Sequence, residues 1–130
     1  MPITRSYLLN AIEPGDVFFA ITGEGGPRIM LAYGADENSI FARLVTSQTK
    51  VEFGRDGTSK SAGDEDACKI VSAAPLPTHE YNVVLGLDRK MRLFHSLDDI
   101  RLTNDEKDVM PKLQKFYESR PLPDDESPHD

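Results

Sequence analysis

Apolar and polar residues alternate in short runs over most of the chain, and turn-forming residues separate these runs. A period of two residues places successive side chains on opposite faces of a β-strand. The pattern predicts short strands at residues 16–21, 28–33, 39–46, 50–53, 68–73, 81–86 and 90–94. Closely spaced short strands with glycine and proline in the turns are typical of an all-β barrel or sandwich.

The third predicted strand, 39–46, has the clearest alternation. Ile40, Ala42 and Leu44 fall on one face, and Arg43 falls on the other. One face can therefore pack in a core while the other carries polar groups. The glycine-rich segment 22–27 is predicted to be a hairpin turn between the first two strands. The longer loop 55–66 is expected to be mobile and to join strands 50–53 and 68–73 into a hairpin.

The periodicity changes after residue 94. Thr103 and Glu106 have the spacing of a capping box, in which each side chain bonds the other residue's backbone N–H at the start of a helix. Apolar residues follow at helical spacing, at Val109, Leu113 and Phe116 or Tyr117. The sequence therefore predicts a C-terminal helix, with a kink or restart near Met110 because Pro111 cannot donate to the preceding turn.

Length and charge set the domain organisation. A chain of 130 residues fits one domain, predicted at 1–117. Residues 118–130 hold five acidic residues against one arginine, and this net charge of −4 is most of the chain's −7. With three prolines, this segment is predicted to be a disordered acidic tail. A pI near 4.9 argues against a dedicated nucleic-acid-binding domain but not against a local basic site.

Location follows from what the chain lacks. No apolar run approaches the roughly 20 residues of a membrane span, and residues 1–10 do not resemble a signal peptide. A single cysteine, Cys68, cannot form an internal disulfide. We therefore expect a cytoplasmic protein with no membrane association.

Metal and cofactor chemistry is not indicated. His79, His95, His129 and Cys68 stand at no metal-ligand spacing, so no metal site is predicted. The glycines of 23–26 lack the Lys-Ser/Thr that completes a phosphate-binding loop. We expect no cofactor.

Nucleophilic catalysis by a serine triad is also weakly supported. Ser47, His79 and Asp88 are the residues that such a triad would use, but no nucleophile-elbow motif surrounds any serine. The acidic pairs at 98–99 and 64–66 are interpreted as solvated loop charges.

Five stretches of sequence occur in a recognisable order: Gly15-Asp-Val-Phe-Phe, Gly26-Pro-Arg-Ile-Met-Leu-Ala-Tyr-Gly-Ala-Asp36, Ile40-Phe-Ala-Arg-Leu-Val-Thr-Ser-Gln48, Val83-Val-Leu-Gly86 and Arg101-Leu-Thr-Asn-Asp-Glu-Lys-Asp-Val-Met110. Their order and spacing resemble those of the MazF/PemK (Kid) toxin family. The resemblance covers 15–48 most closely and 81–114 more loosely.

The resemblance implies a mainly β, α+β fold: a small SH3-like β-barrel with a C-terminal helix. It also implies a homodimeric toxin that cleaves single-stranded RNA without a metal, does not cut DNA, and is neutralised by an antitoxin protein. By position in the motifs, Arg28 and Thr46 would form the catalytic pair. The candidates for contacting the RNA are Ser47, Gln48, Lys50, Arg89 and Lys90.

The implied chemistry agrees with these residue types. When an RNA 2′-hydroxyl attacks the adjacent phosphorus, negative charge develops on the non-bridging oxygens, and a guanidinium can hold two of them. DNA lacks this nucleophile. Two alternatives stay open: a non-catalytic SH3-like binding or regulatory barrel, favoured by the acidic composition and the 55–66 insertion, and a gyrase-targeting toxin of the CcdB type.

Overall fold

The computed structural model describes residues 4–22, 26–60, 67–94 and 101–123. Within these ranges it is an α+β protein with a curled antiparallel sheet and three helices. The elements, in chain order, are α1 (Arg5–Asn10), β1 (Val17–Thr22), β2 (Pro27–Ala35), β3 (Ser39–Leu44), β4 (Lys50–Gly54), β5 (Cys68–Ser72), α2 (Thr78–Phe94) and α3 (Asn104–Glu118).

The first five predicted strands are confirmed, although β3 ends at Leu44 rather than at residue 46. Strands β1 to β4 pair antiparallel in chain order, and the sheet order is β4-β3-β2-β1-β5. The predicted hairpin between 50–53 and 68–73 is wrong, because β5 pairs with β1. Residues 57–60 instead bridge the two edge strands, through isolated pairs of Phe53 with Ser59 and of Thr58 with Lys69. The sheet is thereby curled into a half-barrel, consistent with a small β-barrel.

The strands predicted at 81–86 and 90–94 are wrong, because both lie within the single helix α2. Val84, Leu87 and Met91 are spaced three and four residues apart, so a helix places them on one face. That face is buried against the sheet, and this burial outweighs the weak preference of β-branched residues such as Val83 for strands.

The C-terminal helix is confirmed as α3, with its predicted capping box. The Thr103 hydroxyl accepts a hydrogen bond from the Glu106 backbone N–H at 3.1 Å, and the Glu106 carboxylate accepts one from the Thr103 N–H at 2.9 Å. The helix runs through Pro111 without a restart. The predicted restart near Met110 is therefore not found, and the kink stays a prediction.

Apolar side chains form two layers, one on each face of the sheet. The inner layer fills the concave side and includes Phe18, Met30, Ile40, Phe53 and Ile70. The outer layer lies between the sheet and helices α2 and α3, and it includes Phe19, Leu31, Val84, Leu113 and Tyr117. Each strand of the sheet centre thus contributes alternate residues to the two layers.

Helix α1 was not predicted from the sequence. The Thr4 hydroxyl caps it by accepting a hydrogen bond from the Tyr7 N–H at 3.1 Å. Leu9 and Ile12 then close one end of the inner layer. Arg55 ties this segment to the sheet, because its guanidinium donates to the carbonyl oxygens of Leu9 (3.1 Å), Ile12 (3.2 Å) and Asp36 (2.7 Å).

Replacing Arg55 by lysine is expected to lower the free energy of unfolding by about 1–2 kcal/mol, because a compact ammonium cannot reach three separate carbonyl groups at once. Urea denaturation measures the change. The matched control is Arg89→Lys, at an exposed position of α2, for which we expect a change within about 0.5 kcal/mol. Equal stability of the two variants would show that the Arg55 contacts contribute nothing.

The folded domain extends beyond its predicted boundary at residue 117. Leu122 is buried in the inner layer, and its N–H donates to the Val71 carbonyl at 2.7 Å. The Ser72 hydroxyl donates to the Arg120 carbonyl at 2.6 Å. Residues 118–123 therefore pack on β5 rather than belonging to a tail. The remaining tail residues, 124–130, and positions 61–66 of the predicted mobile loop lie outside the described residues.

None of the helices that the structure describes is long and apolar enough to cross a membrane.

Candidate functional site

Arg28 and Thr46 lie at the same end of the sheet, on neighbouring strands. Met30 pairs with Leu44, and the Val45 N–H donates to the Ile29 carbonyl at 3.0 Å. Extended past its last pair, Met30 with Leu44, this antiparallel register would set Arg28 opposite Thr46, which lies in the turn that follows β3. Both side chains are half-buried.

Both residues belong to the described part of the chain, and no hydrogen bond joins their side chains. The Arg28 guanidinium donates to the Pro27 carbonyl oxygen at 2.9 Å. The remaining guanidinium N–H groups have no protein acceptor in the described part of the chain. None of the described residues therefore competes with a ligand for these N–H groups.

A buried carboxylate organises a second group of polar residues beside α2. The Asp88 side chain is only 2% exposed. Arg43 donates to both of its oxygens, from Nε at 3.0 Å and from Nη2 at 2.9 Å. Gln48 donates at 2.8 Å and Arg92 at 3.2 Å, so all four lone-pair directions of the carboxylate are used.

The electrostatics of this group keep it ionised. Burial by itself raises the pKa of the Asp88 carboxyl, but the hydrogen bonds from Arg43 and Gln48 and the charges of Arg43 and Arg92 outweigh burial. The pKa of Asp88 therefore lies below its ordinary value. The hydrogen bond to Asp88 likewise raises the pKa of Arg43. Arg43 is thereby held as a fixed cation at neutral pH.

Gln48 reaches Asp88 from a strained backbone conformation. Its φ of 63° lies in the left-handed region, which non-glycine residues rarely adopt. The strained turn is held by the Gln48 N–H, which donates to the Leu44 carbonyl at 2.8 Å, and by its amide, which donates to the Val45 carbonyl at 3.1 Å. Strain of this kind is concentrated at functional sites.

Cations and an aromatic ring are exposed next to Asp88. Tyr33 is 42% exposed, and its ring centroid lies 5.7 Å from the Arg43 guanidinium carbon and 5.7 Å from the Lys50 ammonium. Arg92 is half-exposed on the other side of Asp88. We call the surface formed by Tyr33, Arg43, Lys50 and Arg92 the Tyr33 face. It lies on the helix side of the sheet, whereas alternation along β2 puts Arg28 on the inner side with Met30.

The other predicted RNA-contacting residues are dispersed. Ser47 is exposed in the turn after β3, where its hydroxyl bonds Thr49 at 2.9 Å. Arg89 is exposed on α2. Lys90 instead joins the two long helices, through Glu106 and through the Arg101 carbonyl at 3.1 Å. Of the predicted set, therefore, Gln48 and Lys50 lie at the Tyr33 face, and Lys90 has a structural contact.

The alternative constellations are not assembled within the described ranges. Ser47, His79 and Asp88 make no mutual contacts, because His79 faces Asp105 at 3.3 Å and Asp88 is occupied by arginines. No three histidine, cysteine, aspartate or glutamate side chains converge as a metal site there. His95, His129 and the acidic pairs at 98–99 and 64–66 lie outside the described residues.

Sequence reasoning missed Tyr33, Asp88 and the part played by Arg43. The alternation of β3 did place Arg43 on the polar face, and that is the only signal for it along the chain. Asp88 lies 45 residues further on, so only the packing of α2 on the sheet brings the two together. Tyr33 stands at a register shift of β2, where the period of two is interrupted.

Comparisons with models of known protein families, with curated proteins and with solved structures found no match.

Acid is expected to destabilise the protein through Asp88 and Glu106. Burial raises the pKa of Glu106, but the hydrogen bond from Lys90 outweighs it, so both carboxyl pKa values are lower when folded. The unfolded chain then binds more protons, and the free energy of unfolding falls as the pH drops below about 4. Asp88→Asn should flatten this dependence in urea titrations from about pH 7 to about pH 3. Asp108→Asn, at an exposed position of α3, is the control. If the free energy of unfolding of Asp88→Asn falls with pH as steeply as that of the wild type, Asp88 does not cause the acid sensitivity.

Proposed function

We propose that this protein is a metal-independent endoribonuclease built on an SH3-like barrel of the MazF/PemK type. The observation that carries the proposal is the position of Arg28 and Thr46 at the same end of the sheet, Arg28 on β2 and Thr46 in the turn after β3. Further support comes from the antiparallel strands β1, β2 and β3, which contain the three most similar sequence stretches.

In the proposed reaction the substrate supplies its own nucleophile. The RNA 2′-oxygen bonds to phosphorus as the bond from phosphorus to the 5′-oxygen breaks, leaving a 2′,3′-cyclic phosphate and a 5′-hydroxyl. Arg28 would hold the non-bridging oxygens with the guanidinium N–H groups that no described residue accepts from. The Thr46 hydroxyl would orient the 2′-hydroxyl or the phosphate.

The biological setting proposed with this activity is a cytoplasmic toxin–antitoxin system. The partners would be single-stranded RNA, a second copy of the chain in a homodimer, and an antitoxin whose flexible segment covers the RNA site. No cofactor is invoked for the reaction.

A non-catalytic RNA- or ligand-binding barrel is the second candidate. Two observations favour it. The Arg28 guanidinium is turned onto the Pro27 carbonyl of its own strand, and residues 83–86, one of the stretches that carry the resemblance, form helix where the apolar pattern predicted a strand. Fold alone does not decide between the two, because the same scaffold supports both catalysis and binding.

The deciding experiment incubates purified protein with a long single-stranded RNA in EDTA and determines the ends of the fragments. The endoribonuclease is expected to give discrete fragments with cyclic phosphate and 5′-hydroxyl ends, and to leave DNA of the same sequence intact. Intact RNA at a protein concentration well above the substrate, with the protein shown to be folded, would refute the activity and favour the binding barrel.

A further inference from the structure

The Tyr33 face carries hydrogen-bond donors for which the described residues supply no acceptor. The Asp88 carboxylate accepts hydrogen bonds from Nε and Nη2 of Arg43 and from Nε of Arg92. Nη1 of Arg43, both terminal nitrogens of Arg92 and the ammonium of Lys50 have no hydrogen-bond acceptor among the residues described. These donors are what a row of phosphate groups requires.

The charge of this face is opposite to that of the whole chain. Three cations surround one buried carboxylate at the Tyr33 face, in a protein whose net charge is −7. Strand β4 also carries one acid, Glu52. Its carboxylate accepts a hydrogen bond from the Ser39 hydroxyl at 2.8 Å and forms an ion pair with the Lys60 ammonium at 3.5 Å. The local positive charge is therefore not cancelled by its neighbour.

Asp88 also fixes the geometry of the cations. A bidentate contact orients the Arg43 guanidinium, and the same carboxylate anchors Arg92 and the strained turn at Gln48. Groups that are held before binding lose less conformational entropy when a ligand arrives. Asp88 thus orients Arg43 and Arg92 before any ligand binds.

Tyr33 adds an aromatic platform between these cations. Tyr33 is 42% exposed, and of the two cations that lie over its ring, Lys50 is itself exposed and can move aside for a planar ligand. Alternating negative charges and planar rings are the chemistry of a single nucleic-acid strand, whereas an acidic peptide supplies charge without a regular ring.

We propose that the Tyr33 face binds single-stranded nucleic acid, with one base on the Tyr33 ring and phosphates on Lys50, Arg92 and Arg43. Neither contact uses a 2′-hydroxyl, so this face accepts DNA as well as RNA. The path of the nucleic-acid strand beyond this face rests on the proposed function. It would continue over the turn at 45–49, from Gln48 to Thr46. Binding itself does not depend on cleavage.

The test uses fluorescence anisotropy with a labelled oligodeoxythymidylate of about 12 nucleotides, which cannot be cleaved by 2′-hydroxyl attack. Wild-type protein is expected to bind it at low salt. Tyr33→Ala should weaken binding about tenfold, and Tyr33→Phe should bind like the wild type because the ring is kept. Lys50→Ala should lower the salt dependence by about one ion, whereas Lys112→Ala, at an exposed position of α3, should not. Thermal melting confirms that each variant is folded.

Several results would overturn the proposal. These are an absence of oligonucleotide binding at low salt, equal affinity of Tyr33→Ala and wild type, or equal losses in Lys50→Ala and Lys112→Ala. Tighter binding of a polyglutamate peptide would assign the face to an acidic protein instead. The outcome is separable from that of the proposed function, because oligonucleotide binding by a protein that leaves RNA intact refutes only the nuclease. RNA cleavage with oligonucleotide affinity unaffected in Tyr33→Ala refutes only the Tyr33 face.

Discussion

Replacing Arg28 by alanine is expected to reduce the rate of RNA cleavage by about 100-fold or more. The reason is that the guanidinium is the charged group at the same end of the sheet as Thr46, and its N–H groups that no described residue accepts from would hold the oxygens that become more negative in the transition state. Cleavage of a labelled single-stranded RNA in EDTA, under single-turnover conditions, measures the loss directly.

Two further variants separate charge from shape at this position. Arg28→Lys keeps the charge but loses the planar fork, so it should recover only part of the rate. Thr46→Ser keeps the hydroxyl and should stay active, whereas Thr46→Ala should not. Arg101→Ala, which also removes one exposed arginine, is the control. If Arg28→Ala cleaves RNA at the wild-type rate while Arg101→Ala does as well, Arg28 is not catalytic.

Replacing Asp88 by alanine is expected to have the largest effect on stability, a loss of about 3 kcal/mol in the free energy of unfolding. Asp88 is buried and receives hydrogen bonds from Arg43, Gln48 and Arg92, so its removal leaves a partly buried guanidinium without an anion. For a domain of this length the melting temperature should fall by about 10 °C.

A double-mutant cycle with Arg43 isolates the pair itself. Arg43→Ala should also destabilise the protein, and the double variant should lose less than the two single losses combined, with a coupling of at least about 1 kcal/mol. Asp108→Ala removes an exposed acid and should change stability by no more than about 0.5 kcal/mol. Strict additivity of Asp88→Ala and Arg43→Ala would show that their hydrogen bonds do not stabilise the fold.

The strands that were predicted correctly share a simple property. Successive residues in each of β1 to β5 face opposite sides of the sheet, and turn residues bound each strand. A few neighbouring residues therefore suffice to predict that the segment is a strand. The start of α3 is equally local, because the capping box of Thr103 and Glu106 satisfies its own backbone groups.

Helix α2 was mispredicted because its local signals conflict. Val83, Val84 and Leu85 form an apolar run that a strand also accepts, and Gly86 is unfavourable in a helix. Only the sheet surface selects between the two readings, by burying Val84, Leu87 and Met91 together. A short apolar run does not distinguish strand from helix without that surface.

Residues of the candidate site divide in the same way. Arg28 and Thr46 were proposed from short motifs on adjacent strands, and the register of β2 and β3 brings them to the same end of the sheet. The roles of Asp88 and Tyr33 beside Arg43 were not proposed from the sequence, because the side chains that contact them come from other elements of the fold.

The sequence by itself determined the type and approximate position of five strands and the beginning of the last helix, because periodicity, turns and caps are properties of neighbouring residues. The tertiary structure alone decided that β5 pairs with β1, that residues 78–94 form one helix and that Arg43, Gln48 and Arg92 meet at Asp88. These features depend on which distant surfaces are buried together, and the free energy of that burial is not encoded in any local window of the chain.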